Sequence, residues 1–204
     1  MNTSTQFTPN STLDLLFSAE LIPAEVQSLL PSNLHVRSGR VFAIFQPNFS
    51  QIRPLASSDY QRGHLSVLNV LTAVPDPGEA AWVAQFKAIR DVPHTYYSIV
   101  IVNKDTDTIV ALGTVFIERK FIRGLGSAGH IEDIAVDKSQ QGKKLGLRII
   151  QALTSISENS GCYKTILNCS QDNIRELHVS GEGRAGAEDF HSVLRKMWVP
   201  AERM

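Results

Sequence analysis

At 204 residues and 43 % hydrophobic, the chain has apolar material for one ordinary core with tails and little beyond a single domain. Twenty Lys and Arg balance twenty Asp and Glu, so composition favours no nucleic-acid or anionic-membrane partner over a small molecule, and any anion site must be local. No apolar run approaches the ~18 residues of a membrane span, and the first basic residue, Arg37, comes too late for the charged start of a secretory signal; a soluble, cytoplasmic protein is expected.

Residues 1–11 are rich in Thr, Ser, Asn and Gln and are expected to be disordered, since they offer little apolar surface against ordering entropy. Next come Leu15, Leu16 and Phe17, then Pro23 followed by Ala24, Val26, Leu29 and Leu30. This predicts a short helix with Pro near its first turn, in a segment that drapes over the domain. The stretch SGRVFAIFQPNFSQ, residues 38–51, carries Val41, Phe42, Ala43, Ile44 and Phe45, an apolar run that makes an odd surface loop.

Asp59 is placed as the N-cap of a helix whose apolar face holds Leu65, Val67, Leu68, Val70 and Leu71, ended by Pro75, Pro77 and Gly78. A second helix, from about Glu79 to Arg90, spaces Trp82, Val83, Phe86 and Ile89 as a core stripe. The period then changes to two: residues 96–102 and 109–118 read as a hairpin around a turn rich in Asp and Lys. A turn at 124–129 leads into a strand that carries Glu132 and Asp133 and ends in Ile134, Ala135 and Val136. Adjacent on a regular strand, the two acids would point to opposite faces. A long helix follows, with Ile149, Ile150, Leu153 and Ile156 on one stripe, ending near Asn159, and residues 163–169 form a last clear strand. Cys162 and Cys169 bracket it seven residues apart, about 23 Å if extended, too far to pair with each other. No His, Cys and Asp cluster has metal-ligand spacing, so no metal is expected.

The loop between that strand and helix, within GHIEDIAVDKSQQGKKLGL at residues 129–147, puts Gln141, Gly142, Lys143, Lys144, Leu145, Gly146 and Leu147 at a helix N-terminus. Free backbone N–H groups and the positive end of the helix dipole make it a phosphate site. It resembles the acetyl-CoA loop of the GNAT superfamily of N-acetyltransferases: Gln141, Leu145 and Gly146 match, and Lys144 stands where a glycine is usual. The strings IERKFIRGLGSAGHIEDI at 117–134 and GCYKTILNCS at 161–170 are similar to the fungal branch of one family in it, the glucosamine-6-phosphate N-acetyltransferases, with likeness from about residue 52 to 173.

The resemblance implies an α/β fold with a mixed, mostly antiparallel sheet flanked by helices, acetyl-CoA as cosubstrate, a small-molecule acceptor and a homodimer. It implies that main chain at Ile134, Ala135 and Val136, with 141–147 and Asn173, holds the cofactor. Thr72, Lys120, Arg123, Tyr163 and Lys164, with Glu132 and Asp133, would take the sugar phosphate; Glu132, Asp133 and Asn168 are the candidate catalytic residues, Asn168 standing where an aspartate is usual. A cysteine nucleophile is the competing mechanism, but neither cysteine has a base in a recognisable pattern. His130 is a second candidate base.

The resemblance also divides the chain into an extension at 1–33, an acetyltransferase domain at 34–174 and an atypical tail at 175–204, the domain carrying a probable insertion at 38–51. In the family, residues like His35 and Val36 run directly into those like Ile52 and Arg53, so 38–51 is expected to derive from an unspliced intron. After Asn173 the family continues Phe-Tyr-Glu-Lys-Cys-Gly-Phe and adds a last strand; here the chain reads IRELHVSGEGRAGAEDFHSVLRKMWVPAERM, which suggests a shifted reading frame. The tyrosine that the family offers to the departing thiolate falls at Leu177, so impaired turnover and a doubtful dimer are expected. The alternatives are an acetyltransferase for another small amine and a non-catalytic acyl-CoA-binding or dimer-forming relative.

Overall fold

A computed structural model of the chain describes residues 6–30 and 50–167. Five strands form one sheet in the order β1-β2-β3-β4-β5: β1 (Ser50–Pro54), β2 (Tyr96–Asn103), β3 (Thr108–Arg119), β4 (Ser127–Val136) and β5 (Cys162–Leu167). The first three junctions are antiparallel and β4 with β5 is parallel, as the intervening helix requires. Ser50 and Gln51, assigned above to the insertion, are paired strand residues opposite Asn103 and Val102; 38–49 lie outside the described residues, as do Asn168, Asn173 and the tail.

Alternation along the strands feeds two cores. On one face, Ile99, Ile101, Val115, Ile117 and Ile131 meet Ile149, Ile150, Leu153 and Ile156 of the long helix, α5 (Leu145–Asn159). The N-terminal segment adds Val26, from the short α1 (Ala24–Ser28), and Leu30 to this core. The other face packs Val100, Val102, Ile109, Leu112 and Ala135 against Val67 of α2 (His64–Leu68) and Trp82 and Phe86 of α3 (Glu79–Arg90), with Leu16 on top.

Several expectations need correction. Thr8, in the stretch expected to be disordered, is fixed: its hydroxyl donates to Asp107 at 2.8 Å and accepts from Arg62 at 3.0 Å. Asp59 caps no helix. Buried completely, it receives Arg53 through two 2.7 Å bonds and the Ala56 N–H at 2.8 Å, a charge paired and hydrogen-bonded as burial demands. The helix begins instead at His64 behind a left-handed Gly63 and stops at Leu68, so Leu71 is exposed and Thr72 lies in an exposed bend.

The pivotal correction concerns β4. Thr114 pairs with Glu132 and Leu112 with Ala135, so Gly113 alone faces both Asp133 and Ile134. Asp133 has φ +56°, the mark of a bulged residue. Alternation therefore resets: Ile131 and Ile134, three apart, both lie with the α5 core, while Ala135 joins the opposite one. Glu132 and Asp133 do not sit as alternating neighbours on a regular strand; Asp133 is the extra, exposed residue.

Candidate functional site

At the carboxyl end of β4, Asp137 turns the chain by accepting the Ser139 N–H at 2.8 Å, and a single 3-10 turn, Lys138–Gln140, follows. Gly142 (φ +77°) and Lys144 (φ 60°, ψ 21°) then bend the loop into α5, with Lys144 as N-cap. The Lys144 side chain makes no capping hydrogen bond, so the first-turn amides, which an α-helix leaves without intrahelical acceptors, face the loop. Nothing stands within 4 Å of the Cβ position of Gly142, and Gly146 lies against Val136 and Ile134 at ordinary contact distance. Gln141, Gly142, Lys143 and Lys144 are exposed, and Lys143 Nζ reaches Gln140 Oε1 at 2.7 Å. The loop is thus an open cradle of N–H donors with lysines at its rim, suited to a diphosphate.

Beside it runs the second half of β4. Pairing with β5 runs from Ser127↔Cys162 to Ile131↔Leu167, the last described residue of β5, and on the other side Glu132, Ala135 and Val136 pair with β3. Glu132, the bulged Asp133, and the backbone of Ile134, Ala135 and Val136 follow one another along this edge.

The predicted cations gather at the opposite, amino-terminal end of β4. The connection from β3 is a four-residue coil, α4 (Ile122–Leu125), left-handed at Arg123, Gly124 and Leu125. It is closed by Lys120 N–H donating to the Gly126 carbonyl at 2.8 Å. Arg123 lies over the Tyr163 ring, its guanidinium 6.0 Å from the centroid, and Lys164 Nζ is 5.7 Å from the same centroid. Lys120 Nζ sits 2.5 Å from Glu118 Oε1. Four of the residues expected to hold the sugar phosphate are therefore brought together, with Glu132 and Asp133 further along the same strand. Thr72 is carried on the α2–α3 connection, in an exposed bend, and among the described residues no hydrogen bond or ring contact joins it to this cluster.

Two residues escaped the sequence reading. Gly113 is the one residue opposite the bulge, and a Cβ there would come 2.6 Å from Ile149 Cγ2. Glu118, which the sequence marks only as the end of a predicted strand, links Lys120 to His130, whose Nε2 lies 2.9 Å from Glu118 Oε2. Glu118 is the next-to-last residue of β3 and Lys120 the first beyond it, a nearness that the sequence shows without showing the link to His130. Cys162 is a free, partly buried thiol, and among the described residues no group of three or more His, Cys, Asp or Glu is placed to hold a metal ion.

Residues 50–180 match the Acetyltransferase (GNAT) family. A glucosamine 6-phosphate N-acetyltransferase of Dictyostelium discoideum is 42 % identical over 123 residues, 60 % of this chain and 78 % of that protein. The Candida albicans glucosamine 6-phosphate N-acetyltransferase is 37 % identical over 142 residues, 70 % of this chain and 95 % of its own length. Among solved structures, the glucosamine-6-phosphate N-acetyltransferase of Arabidopsis thaliana is similar at a TM-score of 0.61 and 34 % identity, over 68 % of this chain and 95 % of that one. A Trypanosoma brucei acetyltransferase gives a TM-score of 0.58 at 33 % identity, over 69 % and 96 %.

Proposed function

Because the chain belongs to the acetyltransferase (GNAT) family, we propose that it moves the acetyl group of acetyl-CoA to the amine of D-glucosamine 6-phosphate, giving N-acetylglucosamine 6-phosphate on the route to UDP-N-acetylglucosamine. The amine lone pair attacks the thioester carbonyl, a C–N bond forms, the C–S bond breaks, and the thiolate leaves to be protonated. The loop at 141–147 takes the diphosphate of CoA on its backbone amides. Its pantetheine runs along the β4 edge, where main chain at Ile134, Ala135 and Val136 supplies donors and acceptors, one N–H polarising the thioester oxygen. Lys120, Arg123, Tyr163 and Lys164 hold the sugar phosphate, with Thr72 on the sugar.

Glu132 and Asp133 stand between the two ends, where the amine must meet the thioester. An aminosugar amine is only moderately basic, so a carboxylate that holds it and accepts its proton suffices. Asn168 and Asn173 are assigned by resemblance to catalysis and to the cofactor. The same reading expects a cytoplasmic enzyme acting on small molecules, in the homodimer that the resemblance implies.

The observation that carries the reading is the bulge at Asp133, which interrupts β4 between an anion loop and a basic cluster at its two ends. Thermal denaturation with CoA, then with glucosamine 6-phosphate added, tests it: both should raise Tm. A response to CoA alone would favour an acetyltransferase for another small amine. Glu132→Ala and Asp133→Ala should each depress sugar turnover while leaving CoA affinity within about threefold, under 1 kcal/mol. An equal loss of CoA binding would move both acids out of the acceptor site.

A further inference from the structure

The face of the β3–β4 ladder turned away from α5 carries three cross-strand pairs, Thr114 with Glu132, Phe116 with His130 and Glu118 with Ala128. The smallness of Ala128 leaves Glu118 free to lean toward the next pair. There the His130 ring lies flat on Phe116, 4.6 Å between centroids and 7° between planes, and its Nε2 meets one Glu118 oxygen at 2.9 Å. The other oxygen holds Lys120 Nζ at 2.5 Å. Hydrogen bonds from Lys120 first and His130 next keep the Glu118 carboxyl below its usual range, so it is ionised wherever the protein is folded near neutrality.

A lysine on a free four-carbon stem loses rotamer freedom when it grips a ligand, and a ligand that must impose that order binds more weakly. Here the order exists beforehand, because Lys120 is tied at its backbone to Gly126 and at its ammonium to Glu118. The ammonium has three donors, so Lys120 can keep Glu118 and still give a hydrogen bond to a phosphate, and His130 on the other oxygen holds the carboxylate in place.

We infer that Glu118, braced by His130 on Phe116, is a positioning residue for the acceptor: it pre-aims Lys120 at an incoming phosphate. The inference rests on the assignment of the basic cluster to the sugar phosphate. Among the described residues Arg123 and Lys164 rest on the face of Tyr163 without an ion pair, and so follow the ligand rather than anticipate it.

The test is calorimetric titration of glucosamine 6-phosphate into the full chain saturated with CoA, which reads binding whether or not turnover is fast. Glu118→Ala should weaken the phosphosugar about tenfold and leave CoA affinity within about twofold. Glu118→Gln should stay within about threefold of the unaltered chain, since its amide oxygen accepts from Lys120 and its N–H₂ donates to the other tautomer of His130. Lys120→Ala should also cost about tenfold, and the double variant no more than Lys120→Ala alone, because Glu118 acts through that lysine. Losses that multiply to about a hundredfold, a fall in CoA affinity alongside, or no loss in Glu118→Ala would each overturn the inference. Silence in Lys120→Ala would put the phosphate elsewhere, and the inference would fall with that assignment; an unaltered chain that ignores the phosphosugar would sink the acceptor assignment itself.

Discussion

Lys144 occupies a backbone conformation that an L-residue resists, φ 60° and ψ 21°, at the entry to α5. That is why the family's loop has glycine there and why this chain's lysine costs stability. Left-handed backbone is worth roughly 1–2 kcal/mol against a non-glycine residue, and glycine's freedom in the unfolded chain returns about 0.5–1; Lys144→Gly should therefore stabilise by on the order of 0.5–1 kcal/mol, or about 1–4 °C in Tm. With the ammonium gone, CoA should bind a few-fold more weakly at low salt and the difference should fade at high salt. A drop in Tm would mean that the lysine makes compensating contacts. His64 offers a second single-residue test. Its Nδ1 accepts the Trp82 indole N–H at 3.2 Å, and burial pushes its pKa from 6.5 down to about 4, against a smaller upward pull from Asp59. Between those values the unfolded chain binds more protons than the folded one. This contribution to stability is complete above pH 6.5, falls as pH drops toward 4 and is level below that, a loss on the order of 3 kcal/mol. Urea midpoints from pH 7 to 4 should show the decline, and His64→Gln, which still offers Trp82 an acceptor, should flatten it.

Element by element, α5 does two things that depend on each other: its first turn presents amides to the loop, and its flank presses on the sheet where β4 is irregular. Contact is closest at the glycines. A Cβ on Gly113 would fall 2.6 Å from Ile149 Cγ2 and 3.2 Å from both Ile134 Cδ1 and Leu153 Cδ1; one on Gly129 would fall 2.1 Å from Ser157 Oγ. Gly113→Ala should cost about 1–3 kcal/mol by overpacking, and Ile149→Ala added to it should cost less than the sum of the two single changes, both read from denaturant midpoints. Additive losses would show that helix and bulge are not in contact as described. This approach is also where the sequence stops being informative. The apolar stripe of α5 and the limits of α3 are periodic signals carried by many residues, and both could be read directly. A bulge is one residue out of step, and IEDIAV alternates well enough to hide it; nothing local distinguishes Gly113, whose reason is a helix more than thirty positions away. The short α2 misled for a related cause, since the buried charge pair of Asp59 with Arg53 fixes where that helix can begin.

For the whole molecule, the described residues carry both candidate binding ends, the amide cradle at one end of β4 and the basic cluster at the other; the cradle could be read from the loop's own residues, whereas the cluster was implied only by the family resemblance, because Lys120 and Arg123 lie some forty positions from Tyr163 and Lys164. Turnover asks for one thing more, a proton for the departing thiolate. The resemblance assigns that proton to a tyrosine whose position is taken here by Leu177, outside the described residues, and a leucine side chain has none to give. Affinity and rate should therefore come apart. CoA and glucosamine 6-phosphate should bind together, while the absence of one transition-state donor costs about 3 kcal/mol, roughly a hundredfold in turnover. Replacing the residues after Ile174 with the family's ending, from Phe-Tyr-Glu-Lys onward, should raise the acetylation rate by about that factor and change CoA affinity by less than about threefold. Changing the tyrosine of the grafted chain to phenylalanine should remove most of the gain, which separates the proton from anything else the graft contributes. The measurement is a steady-state thiol-release assay on the three chains side by side. An unaltered chain as fast as the graft would mean that the thiolate is protonated by solvent or by another side chain, and that the ending after Asn173 does not limit the rate.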